Sequence, residues 1–380
     1  MTTPRRYQLR KDAVTIIEGH PWIFREQLSS AAAIFRDGDW LRLVDGQNRV
    51  VGHGIFEAEG AIAIRILRRG PERPDAAWFQ TQLAAAVARR EPLVARTTGI
   101  RLLHGESDGI PAVVVDRFAD ALVVTSYSSG TDALARFIAR APILGPARDV
   151  LLRPAHRRQT EPQPARVLRG TAKIVDFVED GLPFAVDLEA GQKTGTYLDL
   201  RGLRRAIATA PLAGARVLNL FAYSGMLGRA AERAGATKLV QVDASERALA
   251  FAAAHHVDDA SKHDFITADV FAWLPELAAD AQFELVIVDP PAMTSSMAQL
   301  PKVLAAYRKL YRHAATHVAP GGALIAACCT SRVQRTLFHR TVREGLGAGF
   351  KMERELPVEL DHPVGFPQAD YLKIGWWRRT

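Results

Sequence analysis

The residues best suited to chemistry lie in the last third of the chain. Cys328 and Cys329 are adjacent and are the only cysteines. Sequence neighbours make a poor structural disulfide, and two thiols cannot build a thiolate zinc cluster. A free thiol is either a small buried hydrophobe or a nucleophile. Because side chains alternate along a strand, the first reading suits Cys328 and the second Cys329. Asp289-Pro290-Pro291 is the other pointed motif. Consecutive prolines remove backbone donors and hold the chain extended, which projects the Asp289 carboxylate toward a planar substrate. There it can bond to a ring nitrogen or amino group of a base.

A third group reads as a cofactor site. Asn219-Leu220-Phe221-Ala222-Tyr223-Ser224-Gly225 has a single glycine where a dinucleotide fold carries Gly-x-Gly-x-x-Gly, so a hydride-transfer cofactor is disfavoured. Asp243 can accept both hydroxyls of a ribose, and Asp269-Val270-Phe271 offers an acid and an aromatic for an adenine. The ordered set fits a nucleoside without a diphosphate.

What must position these residues is a run of alternating strands and helices. Strands are expected at Arg216–Leu220, Lys238–Val242, Phe283–Val288 and Ala323–Ala327, the last after a Pro320-Gly321-Gly322 turn. Helices are expected at Met226–Ala234, Glu246–His255 and Gln299–His317. Such repetition implies a parallel sheet covered on both faces, with ligands at the carboxyl ends of its strands. Each candidate follows a strand, and Cys329 and Asp289 face one cleft.

Upstream, residues 1–73 hold short β-prone runs separated by Asp-Gly turns, including Trp40–Val44 and Ala61–Leu67, up to an Arg/Gly/Pro linker. Residues 74–188 read as a second, α+β unit, with helices near Trp78–Arg90 and Asp132–Arg140 and strands near Ala112–Val115 and Ala121–Thr125. Residues 189–380 form the third. The 380 residues, 48% hydrophobic and 24% charged, describe an ordinary folded multidomain chain. With no apolar leader and no window long enough for a membrane span, a cytoplasmic location without membrane association is expected. The net charge of +8 is unevenly spread. No acid occurs between Asp289 and Glu344, where Lys302, Arg308, Lys309, Arg312, Arg332, Arg335, Arg340 and Arg343 stand. A second cluster, Arg153, Arg157, Arg158, Arg166 and Arg169, lies in a Pro/Gln-rich stretch expected to be an exposed loop. Both suit a polyanion.

These residues, together with His20-Pro21-Trp22-Ile23-Phe24, His104–Pro111, Val115–Phe118, Gly191-Gln192-Lys193-Thr194-Gly195, Leu198-Asp199, Arg201, Asp361–Val364 and Tyr371-Leu372-Lys373, carry a resemblance over nearly the whole chain. The sequence resembles the bacterial large-subunit ribosomal RNA cytosine-C5 methyltransferases. The resemblance implies an α/β architecture: a Rossmann-like class I methyltransferase domain, an N-terminal β-rich PUA domain that adds RNA affinity, and a middle α+β domain. It further implies S-adenosylmethionine as cofactor, ribosomal RNA as partner, a homodimer and no metal. Cys329 then corresponds to the nucleophile that attacks cytosine C6, and Asp289 holds the N3/N4 edge. The cofactor would lie on Phe221, Tyr223, Ser224, Gly225, Asp243, Asp269, Phe271 and Asp289, and the RNA on Lys193, Pro290, Pro291 and Arg332.

Two positions depart from the pattern: Ala292-Met293 replaces Lys-Phe after Asp-Pro-Pro, and Ser224 replaces a threonine. The rival readings are a methyltransferase acting on another RNA base or on an exocyclic amine, for which an aromatic in place of Ala292 would be expected, and a non-catalytic cofactor- and RNA-binding assembly factor.

Overall fold

The computed structural model describes residues 3–155, 165–171, 173–189, 191, 194–294 and 296–380. The chain divides into two compact units. One holds the residues up to Leu198 together with Leu360–Pro367, and the other holds Asp199–Glu359 with Gln368–Thr380.

The first unit contains two five-stranded sheets. The first runs in the order Arg5–Gln8, Trp40–Val44, Val50–Phe56, Ile62–Arg69, Trp22–Phe24. Its strands pair antiparallel except the first two. The helix Lys11–Gly19, which no turn or charge pattern announced, buries Ala13 and Ile17 at i,i+4 spacing against this sheet's core. After the helix Ala76–Arg89, N-capped by Asp75, the second sheet comprises Gly99–His104, Val113–Phe118, Ala121–Ser126, Asp149–Pro154 and Arg166–Arg169. The last of these corrects the expectation of a loop at this point: Arg166 and Arg169 are exposed, but on a strand paired antiparallel with Asp149–Pro154. Arg153 turns inward and donates to the carbonyls of Leu188 and Gly191 at 2.5 Å each. Arg157 and Arg158, like Gln192 and Lys193, lie outside the described residues.

Several motif residues meet inside this unit as one ionic network. Arg90, fully buried, donates to both oxygens of Asp108, at 2.9 and 2.6 Å, and to the carbonyl of Asp361 at 3.1 Å. The Asp361 carboxylate accepts from Arg101 N (3.0 Å) and His362 Nδ1 (2.9 Å). Arg101 clasps Asp116 at 2.8 and 2.9 Å, and Asp116 also accepts from Thr194 Oγ1 at 2.6 Å. The sequence-distant segment Leu360–Pro367 is thereby tied to the first unit.

The second unit is built on a seven-stranded sheet. We label its strands β1 (Arg216–Leu220), β2 (Lys238–Asp243), β3 (His263–Thr267), β4 (Phe283–Val288), β5 (Val318–Cys328), β6 (Phe350–Leu356) and β7 (Lys373–Arg379). Its helices are α1 (Arg201–Ala208), α2 (Met226–Arg233), α3 (Glu246–His255), α4 (Val270–Trp273), α5 (Leu300–Thr316) and α6 (Arg335–Leu346). The strand order is β3-β2-β1-β4-β5-β7-β6. The pairs from β3 through β5 are parallel, as the alternation implied, while β7 runs antiparallel to both β5 and β6. Val217, Leu218, Leu285, Val286 and Ile287 are all fully buried, because the central strands are covered on both faces. Strand β5 starts earlier than expected. Pro320-Gly321-Gly322 is a bulge inside it: Gly321 takes φ +72°, and the register jumps from Phe283 opposite Val318 to Leu285 opposite Ala323.

Removing one partner from a buried ion network costs up to about 3–5 kcal/mol. Asp108 also pairs with the partly exposed Arg89, so Arg90→Met, which leaves it that second cation, is expected to lower stability by about 2–4 kcal/mol in denaturant unfolding. A loss under about 1 kcal/mol would show that the network is not a determinant of the first unit.

Candidate functional site

Four strand ends of the second unit carry the candidate residues. The β1 turn is conformationally unusual: Phe221 (φ 61°), Tyr223 (φ 49°) and Gly225 (φ 72°) all adopt left-handed backbone. Aromatic residues pay an energetic penalty there, so neighbouring bonds must hold the turn. Asp243, half-buried at the end of β2, accepts from Tyr223 N through Oδ2 and from Ser245 N through Oδ1, both at 2.8 Å. Ala222 N donates to Val242 O at 3.0 Å, and His256 Nδ1 donates to Ser224 O at 2.5 Å. Ser224 and Gly225 are buried. After β3, Asp269 is exposed and caps α4 by accepting from Phe271 N at 3.0 Å. Phe271 stays 38% exposed, its ring edge-on to Phe221 at 5.6 Å. Phe221 touches Phe271, Asp243 holds Tyr223 N, and Ala268 N donates to Asp243 O at 3.0 Å, so these residues gather at the ends of β1, β2 and β3.

The ends of β4 and β5 lie side by side. Val288, the last residue of β4, is opposite Ala326, so Asp289-Pro290-Pro291 leaves the sheet beside the last two residues of β5, Ala327 and Cys328, and Cys329 follows directly. Asp289 is half-buried, Pro290 buried and Pro291 exposed. The Cys329 thiol points at the carbonyl of Pro290, Sγ to O 3.9 Å. Cys328 is fully buried in the apolar core, its sulfur 3.6 Å from the Tyr307 hydroxyl. Arg332 is exposed just beyond. Lys193 lies outside the described residues and is not placed.

Comparisons with known proteins identify the family. Residues 133–372 match the family of S-adenosylmethionine-dependent methyltransferases, and residues 9–69 match a PUA-like domain. A ribosomal RNA large subunit methyltransferase of Deinococcus radiodurans is 34% identical, over 94% of this chain and 93% of that protein. A ribosomal RNA large subunit methyltransferase I of Aeromonas salmonicida is 31% identical, over 97% of each. The chain belongs to this methyltransferase family. Among solved structures, a chain from Streptococcus mutans described as a SAM-dependent methyltransferase superimposes with TM-score 0.84 at 20% identity, over 98% of this chain and 99% of that one. A methyltransferase complexed with SAH gives the same values. The methyltransferase is thus an enzyme with a class I α/β catalytic fold, a β-rich N-terminal domain and S-adenosylmethionine as its cofactor.

Sequence reasoning missed the residues that fix the Cys329 segment. From α5, Tyr311 OH donates to Ala327 O at 3.3 Å, and Tyr307 OH lies 3.4 Å from Thr330 Oγ1. Burial pushes both hydroxyls well above the ordinary phenol range, with Cys328 adding to the effect at Tyr307 and Tyr307 to that at Tyr311. From β7, Lys373 donates to Thr330 O (2.9 Å) and Tyr371 O (2.7 Å), and Tyr371 OH donates to Asp199 at 2.7 Å. The Tyr-Leu-Lys and Leu-Asp motifs were the available signal.

The basic stretch between Asp289 and Glu344 is less open than its lack of acids suggested. Arg308 and Arg340 pair with Glu344, and Arg335 with Glu355 and Asp370, acids brought in by the fold. Lys302, Lys309, Arg312, Arg332 and Arg343 remain exposed. Among the described residues no helix is long and apolar enough to cross a membrane.

A side chain at Gly225 would be doubly penalised, by its positive φ and by an added Cβ only 2.7 Å from Ala252 Cβ of α3. Gly225→Ala is expected to destabilise the protein by about 1–3 kcal/mol and to lower SAH affinity in calorimetric titration. Unchanged melting and unchanged affinity together would show that the turn tolerates another shape.

Proposed function

We propose that this methyltransferase acts on C5 of a cytosine in large-subunit ribosomal RNA, in the cytoplasm, through a transient bond between Cys329 and C6. The observation that carries the reading is the approach of the Cys329 thiol to the Asp289-Pro290-Pro291 segment, Sγ to Pro290 O 3.9 Å. A nucleophile and a carboxylate that can hold a base edge then share one cleft.

The cofactor rim fits a nucleoside with an attached amino acid. Asp243 is half-buried and its oxygens each retain accepting capacity after the Tyr223 and Ser245 bonds, which suits ribose hydroxyls. Asp269 and the exposed Phe271 would hold the adenine, and Phe221, Tyr223, Ser224, Gly225 and Asp289 the methionine portion. When bound, S-adenosylmethionine supplies the electrophilic methyl carbon that C5 takes up. The rest falls to the protein. Cys329, as thiolate, adds to C6 and makes C5 nucleophilic, while Asp289 accepts from the N4 amino group and, in its protonated form, donates to N3, where the negative charge of the adduct develops. Once C5 is substituted, a base takes the C5 proton. The C5–C6 double bond re-forms, and Cys329 leaves with the electron pair of its bond to C6. Pro290, Pro291 and Arg332 border the entry of the RNA strand, together with Lys193. In this reading residues 1–73 add RNA affinity, residues 74–188 connect, and residues 189–380 carry the chemistry.

Cys329→Ala is expected to reduce methyl transfer to ribosomal RNA by at least a thousandfold while SAH and RNA dissociation constants stay close to the parent's, because the bond forms only during reaction. RNA carrying 5-fluorocytosine should give a gel-stable adduct with the parent and with Cys328→Ala, and none with Cys329→Ala. Full turnover by Cys329→Ala would overturn thiolate attack and favour an exocyclic-amine acceptor. Asp243→Ala should weaken SAH binding at least tenfold, since it removes two acceptor bonds worth roughly 1–2 kcal/mol each. A dissociation constant within twofold of the parent's would put the ribose elsewhere.

A further inference from the structure

Lys373 is a lysine with no exposed surface, at the first position of β7 and directly opposite Cys328 across the antiparallel β5–β7 pair. A buried ammonium is costly to desolvate and persists where acceptors surround it. Its Nζ donates to Thr330 O at 2.9 Å, on the residue after Cys329, and to Tyr371 O at 2.7 Å. The nearest acid on its own segment, Asp370, is engaged by Arg335 at 2.5 Å, and Lys373 lies within electrostatic reach of both thiols. Burial draws its pKa down from the ordinary lysine value and Arg335 adds to this, while Cys328, Asp370 and Cys329 oppose it. The other groups facing this corner are Tyr307 and Tyr311 from α5, both held neutral, and Asp289 from the end of β4. Asp289, as a carboxylate, opposes a thiolate.

We propose that Lys373 is a positioning residue for Cys329: its ammonium pins the Cys329–Thr330 backbone and its charge favours loss of the Cys329 proton to water. This rests on the reading of Cys329 as nucleophile. The device answers a need of that chemistry, since only the thiolate attacks and the two tyrosines that hold the same segment carry no charge. A lysine that only filled space would support the strand without altering the thiol's titration.

The test is alkylation of Cys329 by iodoacetamide in a Cys328→Ala chain, followed by mass spectrometry from about pH 6 to 10, where reaction tracks the thiolate. Lys373→Met, which keeps the length and removes the charge, is expected to raise the midpoint by about one pH unit and to slow alkylation at pH 7 about tenfold. Lys373→Arg should keep the midpoint within a few tenths of a unit. Unchanged SAH affinity in calorimetric titration marks a folded Lys373→Met chain, and an unmoved midpoint in that chain overturns the proposal. Should Lys373→Met fail to bind SAH, Asp289→Asn with Lys373 intact decides: it removes the opposing carboxylate, and the Cys329 midpoint should fall below the ordinary thiol value of about 8.5. A midpoint at or above that value overturns the proposal. Failure of the nucleophile reading looks different, as full methyl transfer by Cys329→Ala with the alkylation midpoint still responding to Lys373→Met.

Discussion

Parallel pairing of β4 with β5 is the constraint on which the candidate site depends. With Val288 opposite Ala326, the first residues beyond each strand emerge at the same edge of the sheet, and a slip of one residue would exchange the faces of Cys328 and Cys329. The register is fixed on both sides. Apolar side chains of β4 and β5 are fully buried between helices, and β7 pairs with β5 as far as Cys328 opposite Lys373. Ending β5 at Cys328 releases Cys329 from the ladder, and the hydroxyls of Tyr307 and Tyr311 with the ammonium of Lys373 replace the missing strand bonds.

Many polar motif residues of this chain sit in the interior. In the first unit Arg90, Arg101, Asp108, Asp116, Thr194 and Asp361 satisfy one another. In the second, Glu359 receives Arg201 and Arg205, and Asp199 receives Tyr371. Networks of this kind add little net stability compared with an apolar core, but they are intolerant of partial loss. Each buried charge needs an opposite charge or donors in place around it, which suits segments far apart in sequence that must be joined in one way. Leu360–Pro367 joins the first unit by such bonds, while Glu359, immediately before it, is committed to the second.

Where apolar periodicity was strong, the sequence was legible. β1, β4 and α3 lie within the expected limits because each is a long buried run or an amphipathic helix with ordinary ends. What escaped had a physical reason for doing so. β6 is one of the sheet's two edge strands, and its exposed Lys351, Glu353, Arg354 and Glu355 give the polar pattern by which edges avoid association; Phe350 and Met352, which pack against the core, are too few to announce a strand. The Pro-Gly-Gly in β5 reads as a turn, yet parallel neighbours on one side and β7 on the other hold it as a bulge. At the site, Cys329, Asp289 and the β1 turn were legible from residue type and position after a strand. Lys373 was visible only as part of a motif, because nothing local tells a buried lysine from an exposed one.

The β1 turn shows how much local strain the fold supports for the sake of shape. Left-handed backbone at Phe221 and Tyr223 costs on the order of 1–2 kcal/mol at each residue, and an aromatic ring is not a short polar side chain of the kind by which asparagine or aspartate eases that conformation. A relaxed turn would avoid this, so the strained one must be over-determined. Asp243 supplies one clamp through Tyr223 N, His256 another through Ser224 O, and close packing of Gly225 on Ala252 a third. Each clamp comes from a different element, the end of β2, the residue after α3 and α3 itself. Unwinding the turn would therefore require moving the strand and helix that define the unit. Under the proposed reading the gain is a rim whose geometry is set before any cofactor arrives, so that binding need not order a five-residue loop, and the carboxylate that would meet the ribose is already oriented by the turn it stabilises.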